Sequence, residues 1–255
     1  MGVVTTEDRG AVRHVVMNRP EKRNALNDEL VAGLGKAFEE AAADDSVRVV
    51  VLRGEGAMFS SGMDLAGLRE LSENPASLRA FRRPLLLIYN LLEEMTKPTI
   101  AQIHGACLGG AMELALAADM RVMAEGSMAG IMEVRIGLIP DLGGCSRLPA
   151  VVGVGRAKEL IMTGRPMDAG EAHRIGFANR VGGDEAVETL CNELLSCAPQ
   201  AVGLAKRVID AAAKPALAAT LEQEVTVQQQ LAGSEDFAEG AAAFFDKRQP
   251  EFAGK

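Results

Sequence analysis

The chain has 255 residues, of which 48% are hydrophobic and 24% charged, and its formal net charge is −8. This length is enough for one large domain or for a domain with an appendage, and the composition is typical of a soluble globular protein. The acidic balance argues against a sequence-wide attraction to nucleic acid or to an anionic membrane. An anionic small ligand would therefore need a local basic patch.

The cysteines show none of the paired spacings that are typical of metal sites. They are Cys107, Cys145, Cys191 and Cys197. We interpret them as reduced, buried thiols of a cytoplasmic protein, with no metal ligand among them. The sequence has no signal-peptide pattern and no apolar run that could span a bilayer, so we expect no membrane association.

The first elements follow from apolar patterning. Residues 12–17 are rich in β-formers and predict a strand. Asn27 is a predicted N-cap of a helix. The buried stripe of that helix is predicted to contain Leu30, Leu34, Phe38 and Ala41. Residues 47–52 form a nearly continuous apolar run, which is typical of a strand inside a covered sheet.

Residues 59–65 indicate a strand, a glycine turn at Gly62 and the start of a helix. Such a turn can offer a backbone N–H to a ligand, although taken alone it is more often only a turn. Residues 77–95 look helical, but Pro84 is predicted to interrupt this helix or to begin a new one.

The central stretch places two glycines between a strand-like run at 98–103 and a helix over 111–120. Without a Cβ, Gly109 and Gly110 allow close approach to a ligand. The free N–H groups and positive end of the helix dipole there suit a negatively charged oxygen. Glu113 follows one turn later in an almost wholly apolar helix, where an ionised carboxylate is costly unless it is paired or used. We favour a working carboxylate over one that faces a water channel by accident.

Two further carboxylates follow. Glu133 lies after a helix and a returning strand, so the chain could bring it to the same pocket as Glu113. Asp141 stands between Pro140 and a glycine pair, where turn formation is the commoner reason for an aspartate.

The remainder of the chain is mostly helical. Residues 151–163 predict one helix, Asp168 and Glu171 form a capping box, and another helix runs from Glu185 to Pro199. Residues 200–247 are predicted to be almost wholly helical and to form an oligomer contact. We therefore divide the chain into a core at 1–198 that holds the active site and a helical region at 199–255.

Taken together, these motifs strongly resemble the crotonase superfamily of enoyl-CoA hydratases and isomerases, in both order and spacing. The motifs are Asn18-Arg19-Pro20, Asn24-Ala25-Leu26-Asn27, Phe59 to Asp64, Gly105, Leu108 to Leu114, Glu133, Gly137 to Pro140, Gly143-Gly144, Arg147-Leu148 and Phe244 to Arg248. Each motif alone is weak, but together they cover essentially the whole chain.

The resemblance implies an α/β fold, a spiral of ββα turns with a helical C-terminal part, assembled as a homotrimer or a dimer of trimers. It implies an acyl-CoA thioester substrate, as in fatty acid metabolism, with no metal or redox cofactor, because coenzyme A is part of the substrate. The N–H groups of Met63 and Gly110 would form the oxyanion hole. The residues that would line the coenzyme A site are Lys22, Arg23, Ala25, Leu26, Gly62, Asp64, Leu65, Gly109 and Lys247.

Glu113 and Glu133 match the two glutamates of true hydratases, which favours hydration of a trans-2-enoyl-CoA. In that role Glu113 would activate the water and Glu133 would deliver a proton to Cα. Asp141 departs from the usual hydratase pattern and resembles a proton-transfer group of the isomerases. Isomerisation that uses Glu133 and Asp141 therefore stays open as the alternative, and a non-catalytic binding protein of the same fold is a third.

Overall fold

The computed structural model describes residues 2–255, and nine strands and eleven α-helices lie in that range. The strands are β1 (Val4–Arg9), β2 (Val12–Met17), β3 (Val49–Gly54), β4 (Thr99–Ile103), β5 (Ala106–Leu108), β6 (Met120–Met123), β7 (Met128–Gly130), β8 (Met167–Asp168) and β9 (Arg180–Val181). The helices are α1 (Asp28–Ala43), α2 (Leu65–Glu73), α3 (Leu78–Glu94), α4 (Gly110–Ala117), α5 (Gly144–Val152), α6 (Val154–Thr163), α7 (Ala169–Arg174), α8 (Asp184–Leu195), α9 (Pro199–Ala213), α10 (Leu217–Ala232) and α11 (Glu235–Asp246).

Two sheets organise these elements. The larger has the strand order β1-β2-β3-β4-β6-β9, and the smaller has the order β5-β7-β8. In the larger sheet β1 and β2 are antiparallel, and every following pair is parallel. The units β4-β5-α4 and β6-β7-α5 each place one strand in the larger sheet, the next in the smaller sheet, and then a helix. This is the repeated ββα turn that the resemblance to the crotonase superfamily implied.

The core lies on both faces of the larger sheet. On one face, α1, α3 and α4 bury the largest apolar cluster, which includes Phe38, Leu92 and Leu114. On the other face, Leu190 of α8 packs against Val51 of β3 and its neighbours. A parallel strand that is covered on both faces of its sheet has a continuous apolar sequence, as β3 has.

The start and the buried face of α1 agree with the prediction. The Asn27 side chain accepts a hydrogen bond from the N–H of Leu30 at 3.0 Å, which caps the helix. The predicted stripe of Leu30, Leu34, Phe38 and Ala41 is buried. The Asp168 cap of α7 is confirmed in the same way, because its side chain accepts from the N–H of Glu171 at 2.7 Å.

Helix α3 runs through Pro84 without a break, so the prediction that this proline interrupts the helix is wrong. The proline removes the hydrogen bond that its N–H would donate to the carbonyl of Ala80. Both residues are exposed, so water can solvate the freed carbonyl. On the opposite side, Leu85, Tyr89 and Leu92 are buried and hold the helix against its neighbours.

Two other elements differ from the prediction. Strand β1 was not predicted, because it is an edge strand whose mostly polar, mostly exposed residues lack apolar alternation. The single helix predicted over 151–163 is instead the end of α5 followed by α6. They meet at Gly153, whose φ of 80° breaks the helical path.

The cysteine prediction is correct in part. Cys107 and Cys191 are buried, whereas Cys145 is half-buried and Cys197 is exposed. The exposure of Cys197 follows from its position just beyond the end of α8, where its thiol contacts the nearby carbonyl of Glu193 at 3.4 Å and the hydroxyl of Ser196 at 4.0 Å.

The C-terminal region is helical, as predicted. Helix α10 packs against α3 and α5, and α11 packs against α2 and the 3₁₀ turn Glu133–Ile136. The region thereby reaches the side of the molecule that carries Glu133. Helix α9 leaves three large apolar residues exposed, Leu204, Val208 and Ile209. None of the helices in residues 2–255 combines the length and the apolar composition that crossing a membrane requires.

Candidate active site

The predicted site residues meet around one cavity of about 790 Å³ between the core and the C-terminal helices. Those that border it are Lys22, Arg23, Ala25, Gly62, Met63, Asp64, Leu65, Gly109, Gly110, Glu113, Glu133 and Asp141. The structure therefore gathers residues from four separate stretches of sequence at a single place.

Two predicted residues do not border the cavity. Leu26 is buried in the core, and Lys247 is exposed at the end of α11, where its φ is 56°. Arg248 borders the cavity in place of Lys247, because the left-handed turn redirects the chain there. Leu26 contributes through its backbone: its N–H donates to the carbonyl of Gly62 at 2.8 Å, and its carbonyl accepts from the N–H of Asp64 at 3.0 Å.

The turn before α2 forms the first wall of the cavity. Gly62 has a φ of 92°, and a Cβ there would lie 2.5 Å from the carbonyl oxygen of Leu108, so only glycine fits. Leu26 holds the residues on either side of Met63 through the two backbone bonds above. The N–H of Met63 itself donates to no atom within residues 2–255.

The start of α4 forms the second wall. Gly109 has a φ of 55° and precedes the helix, so Gly110 is its first residue. The N–H of Gly110 lies at the positive end of the helix and has no acceptor in the described chain. Tyr89, the only tyrosine, is buried and donates its hydroxyl to the carbonyl of Gly110 at 2.7 Å. This hydrogen bond, made on the buried side of the helix, holds the first turn of α4 in place.

The two free amides are close to each other. A Cβ built on Gly62, the residue before Met63, would lie 3.6 Å from the nitrogen of Gly110. Backbone donors that lack a partner and border a cavity are suited to an oxygen on which negative charge develops. The two turns therefore lie next to each other at the wall of the cavity, and each contributes one backbone N–H that has no acceptor in the described chain.

Glu113 is buried at the inner side of this wall. It is 1% exposed, and its Oε1 accepts hydrogen bonds from the N–H groups of Leu142 and Gly144, both at 2.8 Å. Its Oε2 has no hydrogen-bond donor in residues 2–255, yet it is not sealed off from the cavity. One oxygen is therefore fixed and the other is open, as expected for a carboxylate that acts on a ligand.

Glu133 and Asp141 bring two more carboxyl groups to the same cavity. Glu133 Oε1 lies 3.0 Å from the position of a Cβ built on Gly109, so it is close to the second wall. Glu133 Oε2 and Asp141 Oδ2 are buried and have no hydrogen-bond partner in the described chain. Arg82 is the nearby counter-charge, with its Nε 3.4 Å from Asp141 Oδ2.

Burial and the proximity of other carboxyl groups raise the pKa values of Glu113, Glu133 and Asp141. Burial raises the pKa of Glu133 to about 7, and Asp141 adds to that rise. Burial also raises the pKa of Asp141 to about 7, against the opposing effect of Arg82. The pKa of Glu113 is raised well above its ordinary value by burial and then by Glu133 and Asp141. Carboxyl groups in this state can both give and take a proton.

Sequence reasoning missed three residues that support this arrangement. Arg82 of α3 donates to the carbonyl of Asp141. Glu224 of α10 accepts from the N–H of Gly143 at 2.9 Å and from the N–H of Ser146 at 2.7 Å. Gln228 of α10, discussed below, also borders the cavity. Glu113 and Glu224 therefore accept hydrogen bonds from the backbone amides of one segment, residues 142–146, which leads into the first turn of α5.

The mouth of the cavity is basic, although the chain as a whole is acidic. Lys22, Arg23, Arg135 and Arg248 all border it and are exposed, as is Glu21. Arg248 is paired with Glu239, because its Nη2 donates to Glu239 Oε2 at 2.8 Å. The remaining cations outnumber Glu21 and supply the local basic patch that an anionic ligand would need.

The buried carboxyl group of Glu133 predicts a pH-dependent stability. Its folded pKa of about 7 lies above its ordinary value of 4.5. The stability that it contributes is therefore present below pH 4.5 and lost as the pH rises through 7. The free energy of unfolding of Glu133→Gln, relative to that of the parent, should therefore be higher at pH 8 than at pH 5, by at most about 3 kcal/mol. Urea unfolding of both proteins at pH 5 and pH 8 measures this change. A difference between variant and parent that is the same at both pH values would contradict the prediction.

Comparison with known proteins defines the family. The model of the enoyl-CoA hydratase/isomerase family matches residues 7–255. The chain is 38% identical over 253 residues to enoyl-CoA hydratase domain-containing protein 2, mitochondrial, of Homo sapiens, which covers 96% of this chain and 86% of that protein. It is 37% identical over 257 residues to enoyl-CoA isomerase/hydratase fer4 of Mycosarcoma maydis, with 96% and 93% covered.

The structural comparison agrees. The crystal structure of an enoyl-CoA hydratase from Mycobacterium avium subsp. paratuberculosis K-10 matches with a TM-score of 0.87 at 28% identity, and 99% of each chain is covered. The protein has the crotonase fold, and it belongs to the enoyl-CoA hydratase/isomerase family.

Proposed function

We propose that this protein is an enoyl-CoA hydratase that adds water across the 2,3 double bond of a trans-2-enoyl-CoA. One observation carries the proposal: Glu113 and Glu133 border the same cavity as the free amides of Met63 and Gly110. Hydration needs both a base for water and an acid for carbon, next to donors for the thioester oxygen. Two carboxyl groups of raised pKa can fill those two roles.

In the proposed reaction, the thioester carbonyl oxygen accepts hydrogen bonds from the N–H groups of Met63 and Gly110. The open Oε2 of Glu113 takes a proton from water as the water oxygen bonds to Cβ, and the electron pair of the double bond moves onto the thioester as an enolate. One preorganised amide donor is typically worth about 3–4 kcal/mol of barrier. Glu133 then delivers its proton to Cα, and the enolate collapses to the 3-hydroxyacyl thioester.

The basic mouth supports a coenzyme A thioester as the substrate. Lys22, Arg23 and Arg248 border the cavity and are exposed, and we propose that they bind the phosphate groups, with Lys247 next to Arg248 in sequence. The acyl part would enter the cavity, where most of the lining is apolar. The reaction as written needs no metal or redox cofactor, because coenzyme A is part of the substrate.

Isomerisation of an enoyl-CoA or dienoyl-CoA is the second candidate, and Asp141 is the observation that favours it. This carboxyl group borders the cavity and is largely buried, and its pKa is raised to about 7. A group of this kind can move a proton between two carbons of the substrate, with Glu133 as its counterpart.

Two substrates and one variant separate these candidates. We expect the protein to consume crotonyl-CoA, with loss of the conjugated thioester absorbance, and Asp141→Asn to retain most of that activity. If the parent converts only a 3,5-dienoyl-CoA and Asp141→Asn loses that conversion, the isomerase proposal replaces the hydratase proposal. No turnover of enoyl-CoAs of any chain length and none of the 3,5-dienoyl-CoA would contradict both and favour a binding role.

We also propose assembly as a homotrimer or a dimer of trimers. Exposed Leu204, Val208 and Ile209 on α9 are a candidate contact surface, since contiguous apolar patches often mark interfaces. The location that we propose for the protein is the cytoplasm.

A further inference from the structure

Gln228 brings an unused hydrogen-bond donor to the cavity. The residue lies on α10, is 3% exposed and borders the cavity. Its Oε1 accepts from the N–H of Ile139 at 2.9 Å, and because an N–H can only donate, this bond fixes the orientation of the amide. Its Nε2 donates to no atom in residues 2–255 and is not sealed in the interior. Since almost all of the residue is buried, the open space that Nε2 meets is the cavity.

Asp141 offers an oxygen on the same wall, two residues after Ile139. Its Oδ2 is turned inward and lies 3.4 Å from Arg82 Nε. Its Oδ1 has no partner in the described chain but keeps contact with the cavity. Arg82 also donates to the backbone carbonyl of Asp141 and, at 2.9 Å, to that of Leu221, so the position of this carboxyl group is fixed. Gln228 Nε2 is therefore a fixed donor, and Asp141 Oδ1 is a fixed oxygen that accepts a hydrogen bond when the carboxyl group is ionised.

A purely aliphatic acyl chain would leave both groups without partners. Leu85, Leu138 and Leu142 are among the apolar residues that line the same cavity. A buried polar group that loses water and gains no hydrogen bond is costly, so such sites discriminate against ligands that lack the matching group. A hydroxyl is the group that both accepts a hydrogen bond and donates one.

We propose that the cavity contains a hydroxyl-binding subsite formed by Gln228 and Asp141, and that the preferred acyl chain carries a hydroxyl group beyond Cβ. This inference rests on the proposed function, because it places a CoA thioester in this cavity. A terminal carboxylate is disfavoured by the neighbouring acidic residues. Glu113, Glu133 and Asp141 border the same cavity, and Arg82 contacts both Asp141, at 3.4 Å, and the buried Glu224, at 4.0 Å.

Binding of saturated thioesters tests the subsite without requiring turnover. Three saturated acyl-CoAs of the same chain length are compared, and they end in a methyl, a hydroxymethyl or a carboxylate group. The comparison is made at each chain length from five to eight carbons. Calorimetry should give a Kd about tenfold lower for the hydroxylated compound than for the methyl compound, the effect of one or two net hydrogen bonds. The carboxylate compound should bind most weakly.

Gln228→Leu should bring the ratio of the methyl Kd to the hydroxyl Kd close to one. Gln229→Leu is the matched control: the same change on the adjacent, exposed residue of α10 should leave the ratio near tenfold. Because the ratio is taken within one protein, a general loss of stability does not affect it. If Gln228→Leu does not fold, the three Kd values of the parent still show whether the cavity prefers the hydroxylated acyl chain.

The outcomes separate this inference from the proposed function. Equal Kd values for the methyl and hydroxyl compounds, or tightest binding of the carboxylate, would overturn the subsite and leave the hydratase proposal intact. A tenfold preference without turnover of any enoyl-CoA would support the subsite and contradict the hydratase. Failure of all three thioesters to bind would contradict both.

Discussion

Glu113→Gln is expected to lower kcat for hydration of crotonyl-CoA by about 10²–10⁴-fold, with a much smaller change in KM. The physical reason is that an amide cannot take the proton of the attacking water. The oxyanion donors and the basic mouth are untouched by the change, so the substrate should still bind. Initial rates at several substrate concentrations, for the parent and the variant, measure both constants.

The Glu113→Gln substitution should leave the structure around the cavity unchanged. Glutamine keeps the oxygen that accepts from the N–H groups of Leu142 and Gly144, so the loop after Asp141 should retain its position. Asp141→Asn is the matched amide variant in the same cavity and should keep most of the hydration. A Glu113→Gln enzyme that hydrates at more than a tenth of the parent rate would remove Glu113 from the role of base.

Gly110→Pro should lower kcat/KM by at least about 10²–10³-fold, the usual cost of losing one oxyanion donor. Proline lacks the N–H, and its ring occupies the space in front of it. Gly110 is the first residue of α4, the helical position that tolerates proline best, so the helix should still form. Rates with crotonyl-CoA and circular dichroism of both proteins provide the measurement.

Gly110→Ala separates the donor from the bulk of the side chain. It adds a Cβ that would lie 3.1 Å from the Met63 sulfur, a flexible group that can move, and it keeps the N–H. We expect Gly110→Ala to lose far less activity than Gly110→Pro. Equal losses in the two variants would mean that crowding, not the missing donor, accounts for the effect.

The parts of the fold and site with local signals were predictable from the sequence. The cap at Asn27 and the apolar periodicity of α1 are contained within that one helix. The glycines at 62, 109 and 110 mark the turns because backbone conformation or close approach requires them there. The isolated acidic residue in an apolar helix, Glu113, carried the strongest functional signal.

The remaining parts depend on tertiary contacts that no local pattern contains. Arg82 and Asp141 are 59 positions apart, and the bond between Gln228 and Ile139 spans 89 positions. The only hint in the sequence is the spacing of the buried face of α10. This face contains Leu221, Glu224, Val225, Gln228 and Ala232. Two polar residues within such a stripe indicate partners inside the protein, but they do not identify them.

Pro84 illustrates the opposite case, a strong local signal that the structure overrides. Proline is unfavourable inside a helix by about 3 kcal/mol. Burial of Leu85, Tyr89 and Leu92 on the far side of α3 outweighs that cost, since each large apolar side chain contributes about 1.5–3 kcal/mol. Local propensity is decisive only where packing is weak.

The most direct test of the account is a crystal structure of the protein with butanoyl-CoA, a saturated thioester that cannot be hydrated. We predict that its carbonyl oxygen lies about 2.7–3.1 Å from the backbone nitrogens of both Met63 and Gly110, with Glu113 and Glu133 facing Cβ and Cα. A thioester carbonyl bound elsewhere, with these two amides still free, would contradict the central claim.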